Sequence, residues 1–174
     1  MNNYVVKTDL DNYTTNDDLT NFGKTLYITA GKTKASTIGT KATAEGHSTV
    51  SSGTASHAEG YNTIANNNYA HAEGRASHAE GISSHAEGNS AYAIGNNSHA
   101  EGLETQANAA DSHAEGYDSI TKVSGAAGDY WASHAEGKST IADGAGAHSE
   151  GYSTIASGTA SHAEGYNTGA KGLG

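Results

Sequence analysis

Residues Ser56-His57-Ala58-Glu59-Gly60-Tyr61-Asn62-Thr63-Ile64-Ala65 are echoed fourteen positions later by Ala70-His71-Ala72-Glu73-Gly74-Arg75-Ala76-Ser77-His78-Ala79. Working outward, strings of the type His-Ala-Glu-Gly end at Gly46, Gly60, Gly74, Gly81, Gly88, Gly102, Gly116, Gly137, Gly151 and Gly165, at spacings of seven, fourteen or twenty-one. Gly39 and Gly95 close related strings on the same beat, and Gly53, Gly144 and Gly158 fall halfway through fourteen-residue units. A period held over most of a chain is the signature of a repeat architecture.

Seven is also the coiled-coil period, but that fold wants large apolar residues at two positions per heptad. Here those positions offer Ala and Ser, and Gly in most heptads would cost roughly 1 kcal/mol each in a helix. Two heptads make the better unit. Each supplies about five residues of strand and a tight turn of about two, with Gly giving the turn its backbone freedom. The expected fold is all-β, a parallel β-roll or solenoid with fourteen-residue turns over residues 31–174. Circuits stacked about 4.8 Å apart give a rod of about 43 Å from Gly39 to Gly165.

Strand side chains alternate between faces. Ala58, Ala65, Ala72, Ala79, Ala86, Ala93, Ala100, Ala107 and Ala114 share one face with Ser56, Thr63, Ala70, Ser77, Ser84, Ala91, Ser98, Thr105 and Ser112. A face of small residues only implies closely approaching backbones, so it is the interior. Thr140, Thr154 and Thr168 also fall on it, which argues against the exposed Thr array of an ice-binding solenoid. Between Gly116 and Gly137 the spacing is twenty-one, so Ser124–Tyr130 reads as an inserted loop with Tyr130 and Trp131 at its exit.

Residues 1–30 differ. Tyr4 to Asn12 and Tyr13 to Asn21 repeat Tyr-x4-Asp-Leu-x-Asn with a period of nine, and we read them as a short N-terminal stalk or connector. The beat continues almost to Gly174, as expected of a piece of a longer fibre.

The 174 residues contain one Phe, one Trp, one Met, 23 Gly, no Pro and no Cys. No core of large side chains can be built, and neither a disulfide framework nor a thiolate metal site is possible. A net charge of −10 argues against nucleic acid, which needs clustered Lys and Arg. No apolar run suits insertion into a bilayer. With no signal peptide visible, export is expected by another route, such as assembly into a particle released by lysis.

A roll lined with Ala and Ser buries little apolar area, which at about 25 cal/mol per Å² hardly offsets backbone ordering. Three rolls side by side would bury outward side chains as well, so a homotrimer is expected on energetic grounds, an argument that a dimer also satisfies.

Ser90-Ala91-Tyr92-Ala93-Ile94-Gly95-Asn96-Asn97-Ser98 resembles the head repeat of trimeric autotransporter adhesins, Ser-Val-Ala-Ile-Gly with Ser two residues on. The Ser-His-Ala-Glu-Gly strings, as at Ser56–Gly60, resemble the variant of that repeat in phage tail-fibre proteins. The resemblance covers roughly residues 35–170. It implies a left-handed roll, three chains in register, contact with other tail proteins, and attachment to a host-surface glycan or protein. The implied location is the virion tail, outside the cell. The Tyr-x4-Asp-Leu repeat looks like phage fibre sequence, which favours a tail fibre over a bacterial adhesin. A rigid spacer within a fibre is the structural alternative.

Nine of the ten His lie in His-Ala-Glu or His-Ser-Glu triplets. His57, His71, His85, His99 and His113 should form one ladder, and Glu59, Glu73, Glu87, Glu101 and Glu115 its neighbour. The matching adhesin positions pack toward the trimer axis, so the resemblance implies these ladders meet at the threefold. Structural His–Glu pairing is the expected role, with no metal or other cofactor assigned. No copy of the Ser/His/Glu set stands apart as a nucleophile–base pair, so no enzyme is expected. Tyr61, Tyr117, Tyr152 and Tyr166 each follow the beat Gly and should line one edge if the insertion restores phase. With Tyr130 and Trp131 they are the candidate receptor contacts, since exposed aromatic rings suit sugar faces.

Overall fold

A computed structural model describes residues 38–122 and 132–172. The stalk expected at 1–30, and Tyr130 and Trp131, lie outside the described residues. Among the described residues the protein is all-β, a parallel β-solenoid whose circuits repeat every fourteen residues. No helix there is long and apolar enough to cross a membrane.

Long and short strands alternate. Five-residue strands are β1 (Thr43–His47), β3 (His57–Tyr61), β5 (His71–Arg75), β7 (His85–Asn89), β9 (His99–Leu103), β11 (His113–Tyr117), β13 (His134–Lys138), β15 (His148–Tyr152) and β17 (His162–Tyr166). Two-residue strands are β2 (Val50–Ser51), β4 (Ile64–Ala65), β6 (His78–Ala79), β8 (Tyr92–Ala93), β10 (Gln106–Ala107), β12 (Ile120–Thr121), β14 (Ile141–Ala142), β16 (Ile155–Ala156) and β18 (Gly169–Ala170). Odd strands stack into one nine-stranded sheet and even strands into another. Nine strands make eight steps, so about 38 Å separates the first from the last. Like residues pair throughout: His57 with His71, Ala58 with Ala72, Glu59 with Glu73, Gly60 with Gly74.

The inward face matches the sequence reading. Ala58, Ala65, Ala72, Ala79, Ala86, Ala93 and Ala100 are wholly buried, as are Thr63, Thr105, Thr140 and Thr154. Thr168, in the last described circuit, is exposed and donates to the Glu164 carbonyl at 2.7 Å. Most buried hydroxyls find nearby acceptors, whereas Thr63 Oγ1, Thr105 Oγ1 and Ser133 Oγ have none. Ser84 and Ser98 donate to the carbonyls of Gly81 and Gly95, each at 2.7 Å, and Ser149 and Thr154 bond each other at 2.7 Å. Such bonds satisfy most of the narrow polar interior.

The turn geometry corrects the expectation. Gly60 does not make the corner; it lies within β3, and Asn62 turns the chain at φ 55°. Ser48, Ser90, Ser139, Ser153 and Asn167 do the same at matching positions, and Lys41, Ala55, Tyr69, Ser83 and Asn97 form the opposite corner. Left-handed non-Gly residues are uncommon, yet here carbonyls of the preceding circuit hold the amides of nine of those named. The Asn62 amide donates to the His47 carbonyl at 2.9 Å and the Asn97 amide to the Ile82 carbonyl at 2.8 Å. Gly60 answers a different demand. Its φ is +113°, and a Cβ there would lie 2.1 Å from the Gly74 carbonyl oxygen.

The insertion keeps phase. Ser52 bonds Asn66 fourteen residues away, whereas Ser139 bonds Asp118 twenty-one away. His113 pairs directly with His134 and Ile120 with Ile141, so the seven added residues leave the ladder unbroken.

Candidate functional site

The long strands present three outward columns, because side chains two apart share a face. The first is imidazole. His57, His71, His85, His99, His113, His134, His148 and His162 form a continuous stack, with ring centroids 4.6–4.9 Å apart and planes within 8° of parallel. This extends the expected ladder of five across the insertion. The spacing is that of the strands themselves, so in-register pairing imposes it.

The second column is carboxylate: Glu45, Glu59, Glu73, Glu87, Glu101, Glu115, Glu136, Glu150 and Glu164 in register. Each ladder His places Nε2 3.6–3.9 Å from the Glu two residues on. These are ion-pair distances and too long for hydrogen bonds. In the central circuits the rings are about a third exposed, 34% at His99 for example. The exposed part excludes Nε2, which is buried without a hydrogen-bond partner in His57, His71, His85, His99, His113, His134 and His148. The expected His-to-Glu hydrogen bonds are therefore not formed, and the two columns lie side by side with a gap.

Protonation of His71, His85 and His99 is disfavoured. Burial first, and then the imidazoles of His85 and His57, hold His71 below the ordinary value of 6.5 against the opposing pull of Glu73 and Glu59. Burial followed by the next imidazole does the same at His85 and His99. The unfolded chain takes up these protons near 6.5, the folded chain only at lower pH. Stability from these groups is therefore complete above 6.5 and lost as pH falls below it through the folded values. Melting followed by circular dichroism in chelator-containing buffer should show a lower Tm at pH 5 than at pH 7.5. Replacing His71, His85 and His99 with Gln should flatten that dependence, and an equal fall in the variant would assign it elsewhere.

The third column lies beyond the Gly. His47, Tyr61, Arg75, Asn89, Leu103, Tyr117, Lys138, Tyr152 and Tyr166 occupy it in order. The four expected Tyr do share one edge, and the insertion restores their phase. They are 47%, 39%, 41% and 71% exposed at Tyr61, Tyr117, Tyr152 and Tyr166. Tyr152 stacks on Tyr166 at 5.1 Å. Lys138 Nζ lies 5.4 Å from the Tyr117 ring centre and 5.3 Å from that of Tyr152, a cation between two aromatic faces. Lys138 and Arg75 were not singled out from the sequence. The signal was present, since both follow a beat Gly as the Tyr do.

The short-strand sheet carries a different column. Val50, Ile64, His78, Tyr92, Gln106, Ile120, Ile141 and Ile155 stack in order. Its aliphatic members are partly exposed, Ile155 most of all at 45%. Ile94, two residues beyond Tyr92, is 42% exposed.

No protein-family model and no curated protein sequence matches the chain.

Proposed function

We propose that the chain is a homotrimeric segment of a phage tail fibre that attaches to a host-surface glycan. The observation that carries this is the exposed edge Tyr117–Lys138–Tyr152–Tyr166, held on a rigid ladder. Flat aromatic faces separated by strand spacing stack on sugar rings, and the ammonium group suits hydroxyl or acidic substituents. The virion tail as location, and other tail proteins as partners, follow from the adhesin-like and fibre-like repeats. The residues support binding and assembly, and we assign no catalytic role.

The subunit seam is better placed on the short-strand sheet than on the His–Glu ladder. Burying Ile64, Ile120, Ile141 and Ile155 is favourable, roughly 1.5–3 kcal/mol for a fully buried side chain. Burying a column of carboxylates is costly without paired cations. Light scattering on the purified chain is expected to give three times its 17.6 kDa. Ile120→Asp with Ile141→Asp should shift that mass toward one chain. A monomeric parent protein would refute the trimer.

Attachment is tested by glycan arrays and by binding to bacterial cells. Tyr117→Ala with Tyr152→Ala is expected to abolish binding while leaving the circular dichroism spectrum unchanged. If the parent binds neither cells nor glycans, the rigid-spacer function replaces this one.

A further inference from the structure

The geometry points to a divalent transition-metal site of the zinc class on the His–Glu face, centred on His134 between Glu115 and Glu136. His134 Nε2 lies 3.7 Å from Glu115 Oε1 and 3.8 Å from Glu136 Oε2. The second oxygen of Glu115 faces its own strand, 3.9 Å from His113 Nε2. One carboxylate thus addresses two imidazoles, as a bridging ligand does. Circuits before and after continue the pattern: His71–Glu73–His85, His85–Glu87–His99, His99–Glu101–His113 and His134–Glu136–His148 each bring their donor atoms within 4.8 Å of one another.

Three features favour a metal over simple pairing. First, 3.6–3.9 Å is too long for a hydrogen bond. Zinc bonds of about 2.0–2.2 Å to nitrogen and oxygen span about 3.4 Å along a tetrahedral edge. A small rotation of each Glu side chain closes the difference. Second, the Nε2 atoms of seven ladder His are buried with no hydrogen-bond partner. A buried nitrogen in that condition is costly, and a ligated ion supplies the missing partner. Third, the carboxylates stack at strand spacing, and among the described residues their only ion-pair partners are imidazoles. Like charges directly opposite one another in a sheet are destabilising. Imidazole with carboxylate is a donor set suited to Zn²⁺ and its first-row neighbours. The site needs no second subunit and does not depend on attachment to a host.

The test uses tag-free protein stripped with chelator, dialysed against zinc chloride, desalted, and assayed for metal by mass spectrometry. At least one zinc per chain is expected to remain, with a rise in Tm on loading. Cobalt in its place should give the intense visible absorption of a low-coordinate, nitrogen-ligated ion. His134→Gln should weaken zinc binding in its own circuit at least about tenfold, since even outer-shell changes cost that much at metal sites, while clusters without His134 keep their ions. His47→Gln, outside the stack, should leave it unchanged. A variant with all eight ladder His replaced by Gln should lose retained zinc, and stacked Gln amides suit a parallel ladder. Should that variant fail to fold, Glu115→Gln with Glu136→Gln decides by the cobalt spectrum. Zinc retained equally by parent and ladder variants, or a cobalt spectrum no different from the hydrated ion, overturns the site.

Discussion

Gly102→Ala is expected to destabilise the solenoid by about 4 kcal/mol, from backbone strain and overpacking together. Gly102 sits at φ +113°, and an added Cβ would lie 2.2 Å from the Gly116 carbonyl oxygen. The obstacle is backbone of the adjacent circuit, so no rotamer change relieves it. The same constraint recurs at Gly46, Gly60, Gly74, Gly88, Gly116, Gly137 and Gly151, which is why this column holds no other residue. At roughly 2–4 °C per kcal/mol for a chain of this size, the Tm should fall by about 10 °C. Gly146→Asn is the control. Gly146 has φ +63° with nothing near its missing Cβ, a conformation Asn62, Asn97 and Asn167 already adopt. Its Tm should barely move. Equal losses in the two variants would mean that close circuit approach is not what selects the glycines.

Removing one whole circuit should be tolerated, whereas removing one residue should not. Deleting 85–98 joins Ser84 to His99 and lets His71 pair with His99 as it now pairs with His85. Each circuit contacts only its neighbours, so stability changes by one repeat's share. The shortened protein should keep its β spectrum and cooperative melting. Deleting Ala86 alone slips the following strand by one position and turns its inward face out. That variant should be insoluble or melt without a cooperative transition. Excising Ser124–Tyr130 belongs with the tolerated class, because His113 and His134 are already in phase across it. A single-residue deletion that melts like the parent would contradict in-register stacking as the source of stability.

Much of this organisation is legible in the residues. The beat of Gly and the alternation of small with large or polar residues marked Ala58 and Thr63 as inward, and both are fully buried. The same periodicity placed Tyr61, Tyr117, Tyr152 and Tyr166 in one column, and they lie there. Lys138 joins them for a reason that pattern alone also contains, its place after Gly137. The gap between His and Glu was not legible. Letters fix that the two side chains share a face, but not that their atoms stop 3.6–3.9 Å apart.

The clearest division lies in one pentapeptide used twice. Ser56-His57-Ala58-Glu59-Gly60 and Ser77-His78-Ala79-Glu80-Gly81 have the same letters. In the first, His57 opens a five-residue strand and Gly60 takes φ +113°. In the second, His78-Ala79 is a two-residue strand and Gly81 has no left-handed φ. By itself the sequence determined the period, the inward face and the identity of each column, because those depend only on spacing and side-chain size. The tertiary structure decided which half of each circuit is long, since a strand's extent follows from the strands it pairs with above and below. That choice sets the imidazoles of one half beside a column of carboxylates and leaves the other half its aliphatic stripe.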